Sequence, residues 1–142
     1  MRLTRYTDHA LRVLMHLAVR PEQLSPISEI ARTYQISPNH LMKVMHDLRK
    51  AGYVVAVRGR TGGFSLARPA VEIGVGEVVR HAESVFDLAD CGSCVIAPAC
   101  SLSGALAAAV GAFMRTLDSY TLEDLVEDQR EVLRALVSRD KV

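Results

Sequence analysis

Residues 37–70 read SPNHLMKVMHDLRKAGYVVAVRGRTGGFSLARPA, and this stretch decides the fold. Ser37 followed by Pro38 is a helix start, because a hydroxyl can cap the free N–H groups and proline suits the first turn. Leu41, Val44, Met45 and Leu48 then recur at helical spacing and mark a buried stripe. Gly52 supplies a left-handed stop. Tyr53–Val57 is short and β-branched, Arg58–Gly63 is turn material throughout, and Phe64–Leu66 reads as the returning strand.

Working outward, the preceding chain holds two more helices. Thr7 is the expected cap of the first, with Ala10, Leu11, Leu14, Met15, Leu17 and Ala18 on its apolar face and Arg20-Pro21 at its end. Ser25 and Pro26 repeat the start signal for a second helix through Tyr34, with Ile27, Ile30 and Ala31 inward, and Gln35-Ile36 turns the chain. Three helices, the last two joined by a tight turn, followed by a basic glycine-rich hairpin, predict a mainly α fold with a small β wing: a winged helix-turn-helix spanning residues 1–84. The alternative is a small helical domain with a plain hairpin, and Arg58 and Arg60 at the hairpin tip weigh against it.

Downstream, a fourth helix is expected over Val75–Glu83, then a loop over residues 85–100 that holds every cysteine. Ser101 or Ser103 should cap a long helix with Leu102, Leu106, Ala109, Val110, Phe113 and Leu117 on one face. Its remaining positions are mostly Ala and Gly, so it is apolar or small nearly all round and needs cover on most sides. The economical cover is the same helix of a second subunit. Residues 101–142 are therefore read as a long C-terminal dimerisation helix plus a last amphipathic helix from Thr121 to about Val137.

The net charge of +1 hides an asymmetry. Met1–Arg68 carries eleven Lys/Arg against four Asp/Glu, whereas Pro69–Val142 carries six against twelve. A basic first half suits a polyanion. In a helix-turn-helix the second helix of the pair enters the major groove and presents its N-terminal residues to base edges. Those residues are Ser37, Asn39, His40 and Lys43. Asn can bond adenine bidentately, and Lys can reach guanine acceptors. Arg49 and Lys50 (with His46) lie further along, at backbone distance, and Arg58 and Arg60 suit phosphate or minor-groove contacts. Double-stranded DNA is the expected partner.

No apolar run is long enough to span a membrane, since charges interrupt each candidate, and Asp8, Arg12 and His16 break up the N-terminus as a signal peptide. A cytoplasmic location is expected, where three cysteines do not form a disulfide framework. Cys91, Cys94 and Cys100 lie within ten residues of one another. Such clustering lets three thiolates converge on one centre. An iron–sulfur cluster, a zinc site completed by a fourth ligand (His81 is the nearest histidine), and a redox-active pair with a spare thiol all fit the spacing.

The chain resembles the iron–sulfur winged-helix repressors of the NsrR and IscR kind over nearly its whole length. The resemblance rests on LTRYTDHALRVLMHLA (3–18), the stretch 37–70, IGVGEVVR (73–80), CVIAPACSLSGAL (94–106) and LDSYTLEDLVE (117–127). SPNHLMKV and YTLEDL look more like the nitric-oxide-sensing NsrR group than the IscR group. The resemblance implies a homodimer in which Cys91, Cys94 and Cys100 bind an iron–sulfur cluster. Asp8 stands where an acidic residue of the partner subunit can be the fourth ligand. By itself, Asp8 would be read as a first-turn residue favoured by the helix dipole. The two-residue gap between Cys91 and Cys94 is tighter than is usual among relatives and leaves the cluster type open; the resemblance is read as implying [4Fe–4S], with [2Fe–2S] as the alternative. The function implied is transcriptional repression relieved by nitric oxide. An iron- or redox-responsive regulator is the alternative, and a thiol enzyme the third. Against an enzyme stand the lack of a thioredoxin-like βαβ pattern and of any nucleophile–base constellation.

Overall fold

Thr4, rather than Thr7, caps the first helix. Its hydroxyl accepts from Thr7 N at 3.2 Å, so α1 (Arg5–Val19) begins a turn earlier than the spacing of apolar residues indicated. Thr7 is instead buried, and its hydroxyl donates to Glu83 Oε1 at 2.6 Å; Thr4 N donates to the same oxygen at 2.7 Å. The computed structural model, which describes residues 1–139, continues with α2 (Ile27–Tyr34), α3 (Pro38–Lys50), β1 (Val54–Val57), β2 (Gly63–Leu66), α4 (Val75–Ala82), α5 (Leu102–Asp118) and α6 (Arg130–Ser138). Short 3₁₀ turns occupy Ala70–Glu72 and Ala97–Ala99.

Ser25 does not cap α2. Its backbone exchanges two 2.9 Å hydrogen bonds with Phe64, which buries the residue as a bridge onto the edge of the wing, and Pro26 takes the cap position. Gln35 then turns the chain in the left-handed region, with φ 53°. For α3 the expected start holds: Ser37 Oγ accepts from His40 N at 3.1 Å. Its end holds too, with Gly52 at φ 84°.

The wing is an antiparallel pair in which Val54 faces Leu66 and Val57 faces Gly63. Gly63 must be glycine, because a Cβ there would lie 2.8 Å from the Ser25 carbonyl carbon. Wing and helix-turn-helix are thus one mechanical unit, joined through the backbone of Ser25. This is the winged-helix architecture expected.

The main core gathers Leu14, Leu17, Ile30, Leu41, Leu48 and Ile73, all fully buried. Each such side chain contributes about 1.5–3 kcal/mol through burial. The C-terminal segment, read from sequence as part of the dimerisation unit, sends Leu122, Val126 and Val137 into this same core. It is also not one helix from Thr121. Thr121 and Asp124 bond reciprocally (Thr121 N to Asp124 Oδ2 at 2.7 Å, Asp124 N to Thr121 Oγ1 at 3.2 Å), and a run of turns follows until α6. Four carboxylates at Glu123, Asp124, Glu127 and Asp128 disfavour a helix there, since like charges four apart repel.

A backbone bridge between Gly74 and Thr121 ties the start of α4 to the segment after α5. Val75 N donates to Tyr120 O at 2.9 Å, and Leu122 N donates to Ile73 O at 2.8 Å. Between these points α4 and α5 pack through Val75, Val79 and Met114. Leu106, Val110, Phe113 and Leu117 are half-buried, whereas Leu102 and the Ala-rich face of α5 are exposed in the single chain. Among the described residues no helix is long and apolar enough to cross a membrane.

Candidate functional site

The stripe Leu41, Val44, Met45 and Leu48 is buried, which turns the opposite side of α3 outward. Asn39, Met42, Lys43 and His46 share that outer side at spacings of three and four, and all are exposed. Ser37 is exposed at the helix cap, Arg49 and Lys50 are exposed in the last turn, and Arg58 and Arg60 are exposed on the wing turn. That turn relies on Gly59 at φ 119° and on Gly62, where a Cβ would meet Val57 O at 2.1 Å. Met42, 49% exposed, was missed from sequence. Its signal was an apolar residue lying off the stripe, and such a side chain suits contact with a thymine methyl.

His40 differs from expectation. Its ring turns into a cleft and meets the His9 ring edge-on, with centroids 4.8 Å apart, and its Nε2 is enclosed. Burial, and then the neighbouring His40, push the His9 imidazole below its ordinary pKa.

The basic residues include both paired and unpaired side chains. Arg12, Arg20, Arg68, Arg80, Arg130 and Arg134 pair with Asp8, Glu29, Glu77, Asp118, Glu123 and Glu22 respectively. Among the described residues the side chains of Lys43, Arg49, Arg58 and Arg60 make no ion pair or hydrogen bond. Lys50 likewise makes no ion pair or hydrogen bond, and its charge acts on Asp47 one turn back. Uncompensated positive charge therefore stands on the outer side of α3, its last turn and the wing, where a polyanion would meet it; among the described residues Arg2, Arg5, Arg32 and Arg115 are exposed and unpaired as well.

The cysteine loop steps in threes. Cys94 N donates to Cys91 O at 3.4 Å, Ala97 N to Cys94 O at 3.2 Å and Cys100 N to Ala97 O at 3.3 Å. All three thiols are free, Cys91 and Cys100 half-buried and Cys94 exposed. Leu102 N, at the start of α5, donates to Cys100 Sγ at 3.4 Å, the kind of N–H···S bond that supports metal-bound thiolates. The donor set fits a thiophilic metal group. The expected convergence of the three sulfurs is not present in the single chain: among the described residues no three His, Cys, Asp or Glu side chains lie within reach of one metal ion.

Asp8 is half-exposed and bonded to Arg12 Nε at 2.9 Å. It lines a cleft with Arg2, Arg5, Arg12, Ser37 and His40, whereas Cys91 lines a separate groove with Phe86, Leu88, Leu106 and Val110. Within one chain, Asp8 and the cysteines are not brought together.

The Rrf2 family, described as iron-dependent transcriptional regulators, matches residues 3–128. The HTH-type transcriptional regulator NsrR of Bacillus subtilis is 45% identical over 99% of this chain and 100% of its own. NsrR of Oceanobacillus iheyensis is 46% identical over the whole of both. Among solved structures, T. potens IscR is similar with a TM-score of 0.75 and 27% identity, covering 93% of this chain and 90% of that one. CymR, the global cysteine regulator of B. subtilis, has a TM-score of 0.76 and 26% identity over 91% of this chain and 98% of its own. The curated relatives are named as transcriptional regulators rather than enzymes, and the two solved structures share the fold built above from capping, periodicity and wing glycines. On the match over residues 3–128 together with full-length relatives, this chain belongs to the Rrf2 family of transcriptional regulators.

Proposed function

We propose that the chain is a homodimeric, iron–sulfur-containing repressor that releases its DNA operator in response to nitric oxide. The observation that carries this reading is the pairing, on one chain, of uncompensated cations on the recognition helix and wing with three free thiols in one loop. Residues 1–84, with 121–138 packed into their core, form the DNA-reading unit, 85–100 the ligand loop, and 101–120 the dimerisation segment, in which the exposed Ala-rich side of α5 packs on its copy.

Asn39, Met42 and Lys43 read base edges. Ser37, Arg49, Lys50, Arg58 and Arg60 hold the sugar–phosphate backbone, and His40 supports the start of α3. Cys91, Cys94 and Cys100 would hold the cluster, [4Fe–4S] in preference to [2Fe–2S], with Asp8 of the partner subunit as fourth ligand. When bound there, the cluster supplies irons that react with nitric oxide. A carboxylate is a hard ligand on a soft centre and exchanges readily, which suits a sensor. With Asp8 and the loop engaged, the two subunits are braced and their recognition helices are held at one separation. With Asp8 released, that separation is no longer set, and two half-sites cannot be matched at once.

The test is anaerobic purification followed by iron analysis and absorption spectroscopy, before and after nitric oxide. A coloured protein that bleaches or shifts with nitric oxide and loses operator affinity is expected, and Cys91→Ala, Cys94→Ala and Cys100→Ala should each be colourless and folded. A colourless, iron-free wild-type protein that still binds DNA would remove the cluster from the proposal.

A further inference from the structure

The helix that leads into the cysteine loop also touches α1, α3 and both ends of the wing. Glu77 Oε1 on α4 accepts from Tyr53 Oη at 3.0 Å and from Arg68 Nη2 at 2.6 Å, at the entry and exit of the wing. One turn on, His81 Nε2 lies 2.9 Å from Asp47 Oδ2 of the recognition helix, and its ring meets Tyr53 edge-on with centroids 5.8 Å apart. Tyr6 of α1 donates to the same Asp47 oxygen. At the helix end Glu83 holds the α1 cap.

The opposite side of α4 is fixed to α5. Arg80 forks onto Asp118 at 2.5 and 2.6 Å, and a Cβ on Gly76 would stand 2.0 Å from Asp118 Oδ1. A helix so clamped moves with α5, the helix into which the loop leads.

We propose that the His81–Asp47 contact, buttressed by Tyr6, is the positioning element through which the state of the cysteine loop reaches the recognition helix. The inference rests on the reading of that loop as the sensing element.

Asp47 is the one acidic residue of α3, standing among Lys43, Arg49 and Lys50. An acid on a DNA-reading helix works against binding unless something holds it. Here the Tyr6 hydroxyl first, and His81 after it, keep the Asp47 carboxyl below the usual carboxylate range despite its partial burial. The bond is directional and short, so a displacement of α4 by about 1 Å would take it beyond hydrogen-bond distance. The apolar α3 core contacts would tolerate the same shift. Asp47 would then be held by Tyr6 of α1 alone and, no longer fixed by two donors, could turn about that bond toward the DNA-facing side of its own helix. His81 therefore acts through Asp47 rather than on DNA.

The experiment measures operator affinity of the full-length protein, purified anaerobically, on a duplex selected by the wild type from a random pool. It is repeated after a nitric-oxide donor, which acts on protein that carries the cluster, and after N-ethylmaleimide, which alkylates and enlarges the loop thiols where they are free of metal. Wild-type affinity should fall on the order of 10-fold with at least one reagent, a typical coupling between two sites. His81→Gln keeps a donor for Asp47 and should keep that ratio. His81→Phe keeps the ring against Tyr53 but not the bond, and with Asp47→Asn it should compress the ratio to less than about 2-fold. A responsive wild type with an equally responsive His81→Phe would overturn the relay alone. A wild type that binds its operator and ignores both reagents would overturn the sensing role of the loop, and the relay with it.

Discussion

Residues 10–54 and residues 80–113 are built on opposite plans. The first stretch supplies Ala10, Val13, Leu14, Leu17, Ile30, Leu41, Val44, Met45, Leu48 and Val54 to the main core, and its helices are capped by hydroxyls or left-handed residues. From Arg80 to Phe113 no residue is buried in the single chain, and Val95 is 92% exposed. A stretch with a core holds its shape through its own packing. A stretch without one takes its shape from what it binds. The reading unit is therefore the fixed part of the molecule, and the cysteine loop is the part whose geometry a ligand or a second subunit can set.

The largest effect that could break this contrast is in the core. Leu41→Ala removes a fully buried side chain and should cost about 2–5 kcal/mol in urea unfolding. Val95→Ala in the loop should fall within about 0.5 kcal/mol of wild type. Similar costs for both would mean that the loop has a core of its own.

Next come the substitutions that spare the fold and damage DNA reading. Asn39→Ala or Lys43→Ala should each cost about 1–3 kcal/mol on the operator and relax preference at one base position. Equal losses on operator and random DNA would reassign either residue to the backbone. Gly63→Ala forces a Cβ against the Ser25 backbone, and the resulting overpacking should cost about 1–3 kcal/mol of stability and loosen the wing. Arg58→Ala and Arg60→Ala should weaken binding to all sequences and each reduce the slope of log affinity against log salt by about 1.

The pH response sharpens the contrast further, because the polar joints between α4 and the reading unit are carboxylates. Tyr6 and His81 hold Asp47 low. For Glu77 and Glu83 burial acts in the opposite direction, but bonds from Arg68 and Tyr53, and from Thr7 and Thr4, prevail and depress both. A depressed carboxylate stabilises the fold above its unfolded pKa, and that stability is lost as pH falls through the folded value. Thermal midpoints should hold near neutral pH and fall below about pH 4, under the ordinary carboxylate range. Glu83→Gln should fall less steeply there, and an unchanged slope would exclude Glu83 from the acid response. The smallest expected effect is at Asp8, whose exposed pair with Arg12 is worth under about 1 kcal/mol. Asp8→Ala should melt like wild type while shifting the visible spectrum. A normal spectrum would leave Asp8 as a helix-dipole residue only.

The winged helix was legible because its signals are local: Ser37-Pro38, Gly52 and the β-branched pair around Arg58–Gly63 act within a few residues. The failures were long-range. Ser25 looks like a cap until Phe64, distant in sequence, pairs with its backbone. Thr7 looks like a cap until Glu83 claims its hydroxyl. The acidic segment after Thr121 keeps helical spacing but lies pinned to Gly74. His40 was read as facing outward because nothing in its own helix reveals His9. The cysteines were easily found, since no others compete, but spacing does not report convergence.

The bridge between Gly74 and Thr121 gives the molecule the topology of a host with a guest. The chain leaves the reading unit and re-enters it at adjacent backbone atoms, so residues 75–120 form an insertion whose ends meet whatever its length. Insertions of that kind can be exchanged. A graft that keeps Glu77, His81 and Glu83 at the seam and replaces residues 84–117 would leave the DNA-reading surface and its core intact while giving it a different chemical input.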